Sequence, residues 1–204
     1  MTAEKASEKA SEKAEKAEKP ARRRDAEATR KCLVEAAAEL FAERGYDRTT
    51  VRAIADRAGV NQALLFRYFG SKTALFGEVV AMNGRRQLEE TPAEHLLQTA
   101  LRNLLAPDGT STADRSLEVF LRSAGSDDEA AQTNRRLTEE YTAALTGLTD
   151  ADDAELRAGL VLAWLLGIGL TRVVVRQEPL ASADPEHVSR LMLDAVRRLL
   201  ERLP

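Results

Sequence analysis

Apolar residues recur along this chain at the three-to-four-residue spacing of amphipathic helices. From about Glu27 to Arg44, Leu33, Ala37, Leu40 and Phe41 fall on one face, and Gly45 follows as the residue that ends the helix. Thr50 is placed to cap a second helix carrying Val51, Ile54, Ala55 and Ala58, which Gly59 breaks. Asn61 caps a third, running to about Tyr68, with Leu65 and Phe69 turned inward. Ser71 caps a fourth, with Leu75, Phe76, Val79 and Val80 on its apolar side. Past Gly84 the pattern stays helical and no strand signal competes. Helices are predicted over Ala93 to Leu105, Asp114 to Ser123, Asp127 to Leu148, Asp153 to Arg176 and Pro185 to Leu203, about nine in all. In the last, Val188, Leu191, Met192, Ala195, Leu199 and Leu203 form an apolar stripe.

The first residues obey a different rule. Residues 3 to 19 repeat Glu-Lys-Ala with occasional Ser, so no hydrophobic side chain larger than Ala is available to bury. Met1 to Pro20 is charged throughout, with no apolar h-region, and reads as a tail rather than a secretory signal. Arg22-Arg23-Arg24 reads as a solvated linker or as a basic arm that reaches DNA. Three units are expected: a disordered tail over 1–24, a compact helical unit with its connecting helix over 25–86, and a helical body over 87–204.

Composition narrows the class. Hydrophobic residues are 44% of the 204, mainly Ala, Leu and Val, and aromatics only 4%, which favours an all-α fold. Cys32 is the lone cysteine, so no intrachain disulfide forms and a reducing cytoplasm fits. The longest uncharged apolar run, Ala158 to Leu170, falls short of the ~20 residues that cross a bilayer and is expected to be a buried helix, so no membrane partner is implied.

The net charge of −3 conceals two opposite halves. Arg22 to Arg86 holds 13 Lys and Arg against 8 Asp and Glu, a net of +5, whereas Gln87 onward holds 12 against 20, a net of −8. Attraction for phosphate is therefore local to the first unit, and overall acidity does not argue against it.

Thr50 to Phe69 has the makings of a helix-turn-helix. The first short helix must brace the second so that its exposed face enters the major groove. Ala55 and Ala58 permit close packing, Gly59 supplies the turn, and Val60 and Leu65 fill the space beneath. Gln62, Ala63, Phe66 and Arg67 remain for the exposed face.

These residues resemble the TetR family of bacterial regulators. The likeness lies in Ala36-Ala37, Leu40-Phe41, Gly45-Tyr46, Thr49-Thr50-Val51, Ile54-Ala55, Ala58-Gly59-Val60, Leu65, Tyr68-Phe69, Ser71-Lys72 and Leu75-Phe76. Arg172-Val173-Val174-Val175-Arg176 with Glu178-Pro179-Leu180-Ala181 also looks like an actinobacterial branch of it. The resemblance implies a three-helix DNA-binding head on a helical dimerisation and ligand-binding body. It further implies a homodimer on a palindromic double-stranded operator, repression as the usual mode, and a cytoplasmic, nucleoid-associated protein. By position, it implies that Arg52 and Gln62 bond base edges and that Thr50, Tyr68 and Lys72 touch the backbone; Arg to guanine, Gln to adenine and Lys to phosphate is consistent chemistry. Leu64 stands where Thr is common and Phe66 where Tyr is common, so two hydroxyls that often reach phosphates are missing. Arg67 can offset that loss and Leu64 can meet a thymine methyl. Structural roles compete throughout: Thr50 can serve as a cap alone, Phe66 and Tyr68 partly as core, and Arg67 and Lys72 as solvated charge.

The body is expected to join two chains through its last two helices, with Trp164, Leu165, Ile168, Leu191, Met192, Leu199 and Leu203 as candidates for the joint or for the chain's own core. Phe120, Arg122, Tyr141, Trp164 and Arg172 are candidates to line a site for a small apolar ligand. A DNA-binding protein with no small-molecule inducer, architectural or governed by a protein partner, is the alternative. Catalysis is disfavoured. His95 and His187 are the only histidines, neither lies near Cys32 in sequence, and there is no metal-spaced cluster, P-loop or dinucleotide turn, so no catalytic or metal residue and no cofactor is assigned.

Overall fold

Helix α1 (25–44) forms where the apolar spacing predicts, burying Leu33, Val34, Ala36, Ala37, Leu40 and Phe41. Gly45 stops it at φ +78°, donating its N–H to Phe41 O at 2.9 Å, a left-handed conformation that costs little without a Cβ. Then come α2 (Val51–Ala58), α3 (Gln62–Phe69), α4 (Lys72–Glu90), α5 (Ala93–Leu105), α6 (Glu129–Thr146), α7 (Ala154–Gly169), a π-helical stretch (Leu170–Val175) and α8 (Pro185–Val196). The computed structural model describes residues 25–106 and 129–203, and the fold among them is all-α with no strand. The helix expected over 114–123 and the Arg22-Arg23-Arg24 arm lie outside the described residues.

Two cores organise these helices. The first gathers Leu33, Leu40, Ile54, Leu65, Leu75 and Phe76, none more than 1% exposed, each contributing roughly 1.5–3 kcal/mol through burial. Phe41, Tyr46 and Phe76 pack as a trio with ring centroids 5.0–5.4 Å apart. The second core joins Leu97, Leu101 and Leu105 of α5 to Leu145, Ala158, Val161, Val188, Met192, Val196, Leu200 and Leu203.

Helix α4 belongs to both regions. Leu75, Phe76 and Val79 sit in the first core, while its later turns pack on α6. There a Cβ on Gly84 would lie 2.7 Å from Leu137 Cδ2, so the Leu137 side chain packs into the space that glycine leaves open and would have to shift for any larger residue. Tyr141 Oη donates to Gly84 O at 3.2 Å across the same junction. The division expected between 86 and 87 thus falls inside one continuous helix.

Three expectations are corrected. The final helix ends at Val196 rather than Leu203, and the chain continues in turns. Its last residues bond to the α6–α7 loop instead: Arg202 N–H donates to Leu148 O at 3.0 Å, and its guanidinium reaches Gly147 O and Asp150. The helix expected over 153–176 widens after Gly169 into the π-helical stretch. There Arg172 donates to Leu180 O and Ala183 O, both at 2.8 Å, holding the following loop against it.

The third correction concerns α7, expected to be buried. Of its apolar residues only Ala158, Val161 and Gly169 are buried; Leu156 is 65% exposed, Leu160 and Trp164 41%. A helix apolar on nearly all sides packs one side on its own chain, and none of the described residues covers the other. With the first residues of the π-helical stretch, Ala154–Arg172 is also long and apolar enough, by length and composition, to cross a membrane, which the uncharged run alone is not. Its first turns are nevertheless tied down by charge, Arg157 bonding Asp153 at 2.6 Å and Glu201 at 2.9 Å.

Candidate nucleic-acid interface

The α2–α3 unit is built from local hydrogen bonds that its sequence dictates. Thr50 is extended, and its Oγ1 accepts from Ala53 N–H at 3.1 Å, satisfying one of the donors left open at a helix start. At the other end Gly59 adopts φ +67°, its N–H directed to Asp56 O at 3.3 Å while Val60 N–H reaches Ala55 O at 3.0 Å. This pair of bonds is the Schellman stop, and it turns the chain sharply enough to start α3 two residues later. Asn61 Oδ1 accepts from Ala63 N–H at 2.8 Å, and Ser71 Oγ from Ala74 N–H at 3.0 Å.

Long-range contacts then fix this unit on α1 and α4. Thr49, 1% exposed, donates its hydroxyl to Gly45 O at 2.8 Å and lies 3.0 Å from Leu40 O. Arg57 clamps α2 to α1, reaching Glu39 at 2.9 Å and both oxygens of Glu43 at 3.1 Å. Its hydrogen bonds to Glu43 and then Glu39 raise the guanidinium pKa, and the same bond lowers that of Glu43. Arg30 lies 3.0 Å from Glu78 and over the ring of Phe69 at 5.1 Å. Sequence reasoning assigns no role to Thr49, Arg57 or Arg30. Their partners stand 4 to 48 residues away with no local signal beyond Thr49's adjacency to the cap.

With Leu65 and Phe69 buried, α3 exposes Gln62, Ala63, Phe66 and Arg67 on its outer face. Phe66 is 47% exposed, so it does not fill the core. Leu64 and Tyr68 are half-buried at the edges of that face. Arg52 projects from α2 with its side chain 84% exposed, 3.8 Å from Asp56 one turn on, an exposed pair worth little that a phosphate or a base displaces readily. Lys72, in the first turn of α4, has its ammonium 4.0 Å from the centroid of Tyr46. Tyr46 is itself anchored by a 3.0 Å hydrogen bond between its hydroxyl and that of Thr73, and so steers the direction of Lys72.

The body candidates separate. Tyr141 faces α4, its phenol pushed up to about 12 by burial; Arg172 is engaged with carbonyls of the following loop; Trp164 lies on the exposed side of α7. Phe120 and Arg122 lie outside the described residues. One polar atom missed from the sequence stands out: Gln87 Nε2 is a buried donor with no hydrogen-bond partner among the described residues, while Gln87 Oε1 accepts from Asn103 Nδ2 at 3.1 Å. Of the residues expected at a joint between chains, Met192 and Leu203 prove to be core of this chain, and Leu165, Ile168 and Leu199 pack against that core. Trp164 and Leu191, the latter 57% exposed, are turned outward with Leu156 and Leu160. Among the described residues no group of three or more His, Cys, Asp or Glu is arranged to hold a metal.

Comparison with known proteins agrees with this geometry. A family model described as bacterial regulatory proteins, tetR family, matches residues 33–79, and a Tetracyclin repressor-like C-terminal domain model matches residues 94–200. The chain is similar to the HTH-type transcriptional repressor Rv3405c of Mycobacterium tuberculosis, 41% identical over 73 residues, which is 34% of this chain and 38% of that protein. It is similar also to the HTH-type transcriptional repressor KstR2 of Rhodococcus jostii, 48% identical over 48 residues and 24% of each. The chain spans under half the length of these curated relatives. Among solved structures, a TetR transcriptional regulator from Rhodococcus sp. RHA1 shares the fold, with a TM-score of 0.62 at 20% identity over 89% of this chain and 99% of that one. With one model matching the helix-turn-helix unit and the other more than half of the chain, this protein belongs to the TetR family of bacterial regulatory proteins.

Proposed function

We propose that the protein is a cytoplasmic transcriptional repressor that binds a palindromic DNA operator as a homodimer and is released by a small-molecule ligand. The observation that carries the reading is the outer face of α3: Gln62, Ala63, Phe66 and Arg67 exposed together on a helix braced from behind by α2, α1 and α4. Arg52 and Gln62 are the base readers in this reading, and Thr50, Tyr68 and Lys72 the backbone contacts. Repression is supported by the names of relatives such as Rv3405c and KstR2. One such helix covers only a few base pairs, so two held one turn of DNA apart, roughly 34–36 Å, or a multiple of it, are needed for a specific site. The uncovered apolar side of α7, with Leu156, Leu160 and Trp164, supports a second copy as the partner that supplies the other helix. Gln87 Nε2 supports the ligand, since a buried donor of this kind calls for an acceptor.

Selection of bound sequences from random duplexes tests the reading, with two inverted half-sites about one turn apart as the expected result. Gln62→Ala then shifts base preference at one position per half-site by roughly 1–3 kcal/mol. An equal loss on all sequences removes Gln62 from the base readers. A thermal-shift screen of small apolar compounds, followed by operator release, tests the ligand. If no compound releases the operator, regulation without an inducer takes its place.

A further inference from the structure

Seven large hydrophobic side chains are exposed among the described residues. Six lie on α7, the π-helical stretch and α8, and the seventh is Phe66, alone in the DNA-reading half of the molecule. It stands in the second turn of α3, with Gln62 one turn before it and Arg67 beside it, while Leu65 and Phe69 of the same helix are buried.

A phenyl ring has no donor or acceptor to offer a phosphate or the polar edge of a base. The major groove presents one apolar group to such a ring, the 5-methyl group of thymine. We infer that Phe66 reads a pyrimidine 5-methyl group, making thymine the preferred base at one position of each half-site. This rests on the DNA-binding reading above and adds to it the chemistry of one contact. Gln62 and Phe66 are four residues apart, about 6 Å along the helix axis at 1.5 Å per residue. The methyl group therefore lies within about two base-pair steps of 3.4 Å from the base that Gln62 reads.

The test uses the full chain and an operator enriched from random duplexes. Failure to enrich any sequence removes the DNA-binding reading itself. In the enriched operator each thymine is replaced in turn by deoxyuridine, which pairs identically and lacks only the methyl group. Binding falls about fourfold at one position, the factor carried by one buried carbon, and about fifteenfold when both half-sites are changed. That position lies within about two base pairs of the one whose preference Gln62→Ala alters. Phe66→Ala, measured at low salt so that phosphate contacts keep it on DNA, binds the thymine and uracil operators equally. The inference is overturned if no thymine responds to loss of its methyl group, or if Phe66→Ala keeps the same preference, and either result leaves the DNA-binding reading standing.

Discussion

The head formed by α1 to α3 with the start of α4, and the body beyond it, end their apolar surface differently. In the head the large side chains close on one another and only Phe66 is left outside. The body also has a closed core, yet leaves Leu156, Leu160, Trp164, Val174, Val175 and Leu191 in contact with water. The starts of the helices differ only in part. Thr50, Asn61 and Ser71 cap α2, α3 and α4 with side-chain oxygens, and in the body Asp184 caps α8 in the same way, while α5 and α7 have no side-chain cap. The head closes its core within one chain and, in the proposed function, turns its outer face to DNA. In the proposed homodimer the body is a half whose outer face is finished by a second copy.

The largest effect that separates the two comes from the uncovered side of α7. Leu160→Glu, at a position 41% exposed, should leave the fold of one chain intact and give a soluble monomer by light scattering. Loss of the second recognition helix then weakens operator binding by about 10²–10⁴. Leu199 is a poorer probe because it already packs against the body core, so a charge there strains the chain as well as the joint. If the Leu160→Glu variant stays dimeric, the joint moves to another surface.

Phe76→Ala attacks the head instead. Its ring is 1% exposed and touches both Phe41 and Tyr46, so truncation should cost about 3–5 kcal/mol in thermal or denaturant unfolding. Operator binding is lost with the fold, while the body remains the better-ordered part. Unfolding within about 1 kcal/mol of the parent would contradict the close packing of this core.

How much of this is legible in the sequence follows the range of each interaction. The caps at Thr50, Asn61 and Ser71, and the glycine stops at 45 and 59, act within five residues, and their spacing predicts α1 to α4 closely. The clamp of Arg57 on Glu39 and Glu43 and the stacking of Lys72 on Tyr46 join residues 14 to 26 apart, and nothing in local spacing announces them. Helix α7 misleads for another reason: a helix apolar all round reads as buried, and periodicity does not say whether its own chain or another does the burying. The same ambiguity mixes Met192 and Leu203, which are core, with Leu191, which is not. At the proposed DNA face the residue types are legible, but only the structure separates exposed Phe66 from half-buried Leu64.

Head and body are coupled through α4, and the Tyr141–Gly84 contact gives that junction a pH signature. Burial lifts the phenol of Tyr141 from 10.0 to about 12, so the folded protein holds its proton more tightly than the unfolded chain. The contribution is fully present below pH 10 and is lost as pH rises through about 12. Denaturant titrations across that window should show stability falling in the parent, and falling less in Tyr141→Phe, which has no phenol to ionise. Parallel profiles would mean that the hydroxyl ionises as readily in the fold as outside it.

The smallest effect bears on whether the head's caps also serve DNA. Thr50 Oγ1 accepts from Ala53 N–H at 3.1 Å and is exposed to solvent. Thr50→Ala removes the cap and should cost about 1 kcal/mol of stability. Thr50→Asp is more informative, because a carboxylate accepts the same bond and its charge suits a helix N-terminus. Its melting temperature should therefore match the parent. In the complex, however, the same charge would face a phosphate, so operator binding should weaken by about tenfold at low salt, an effect that shrinks as salt screens it. If Thr50→Asp both melts and binds like the parent, Thr50 is a cap and no more, and the backbone contacts of the head fall to Tyr68 and Lys72.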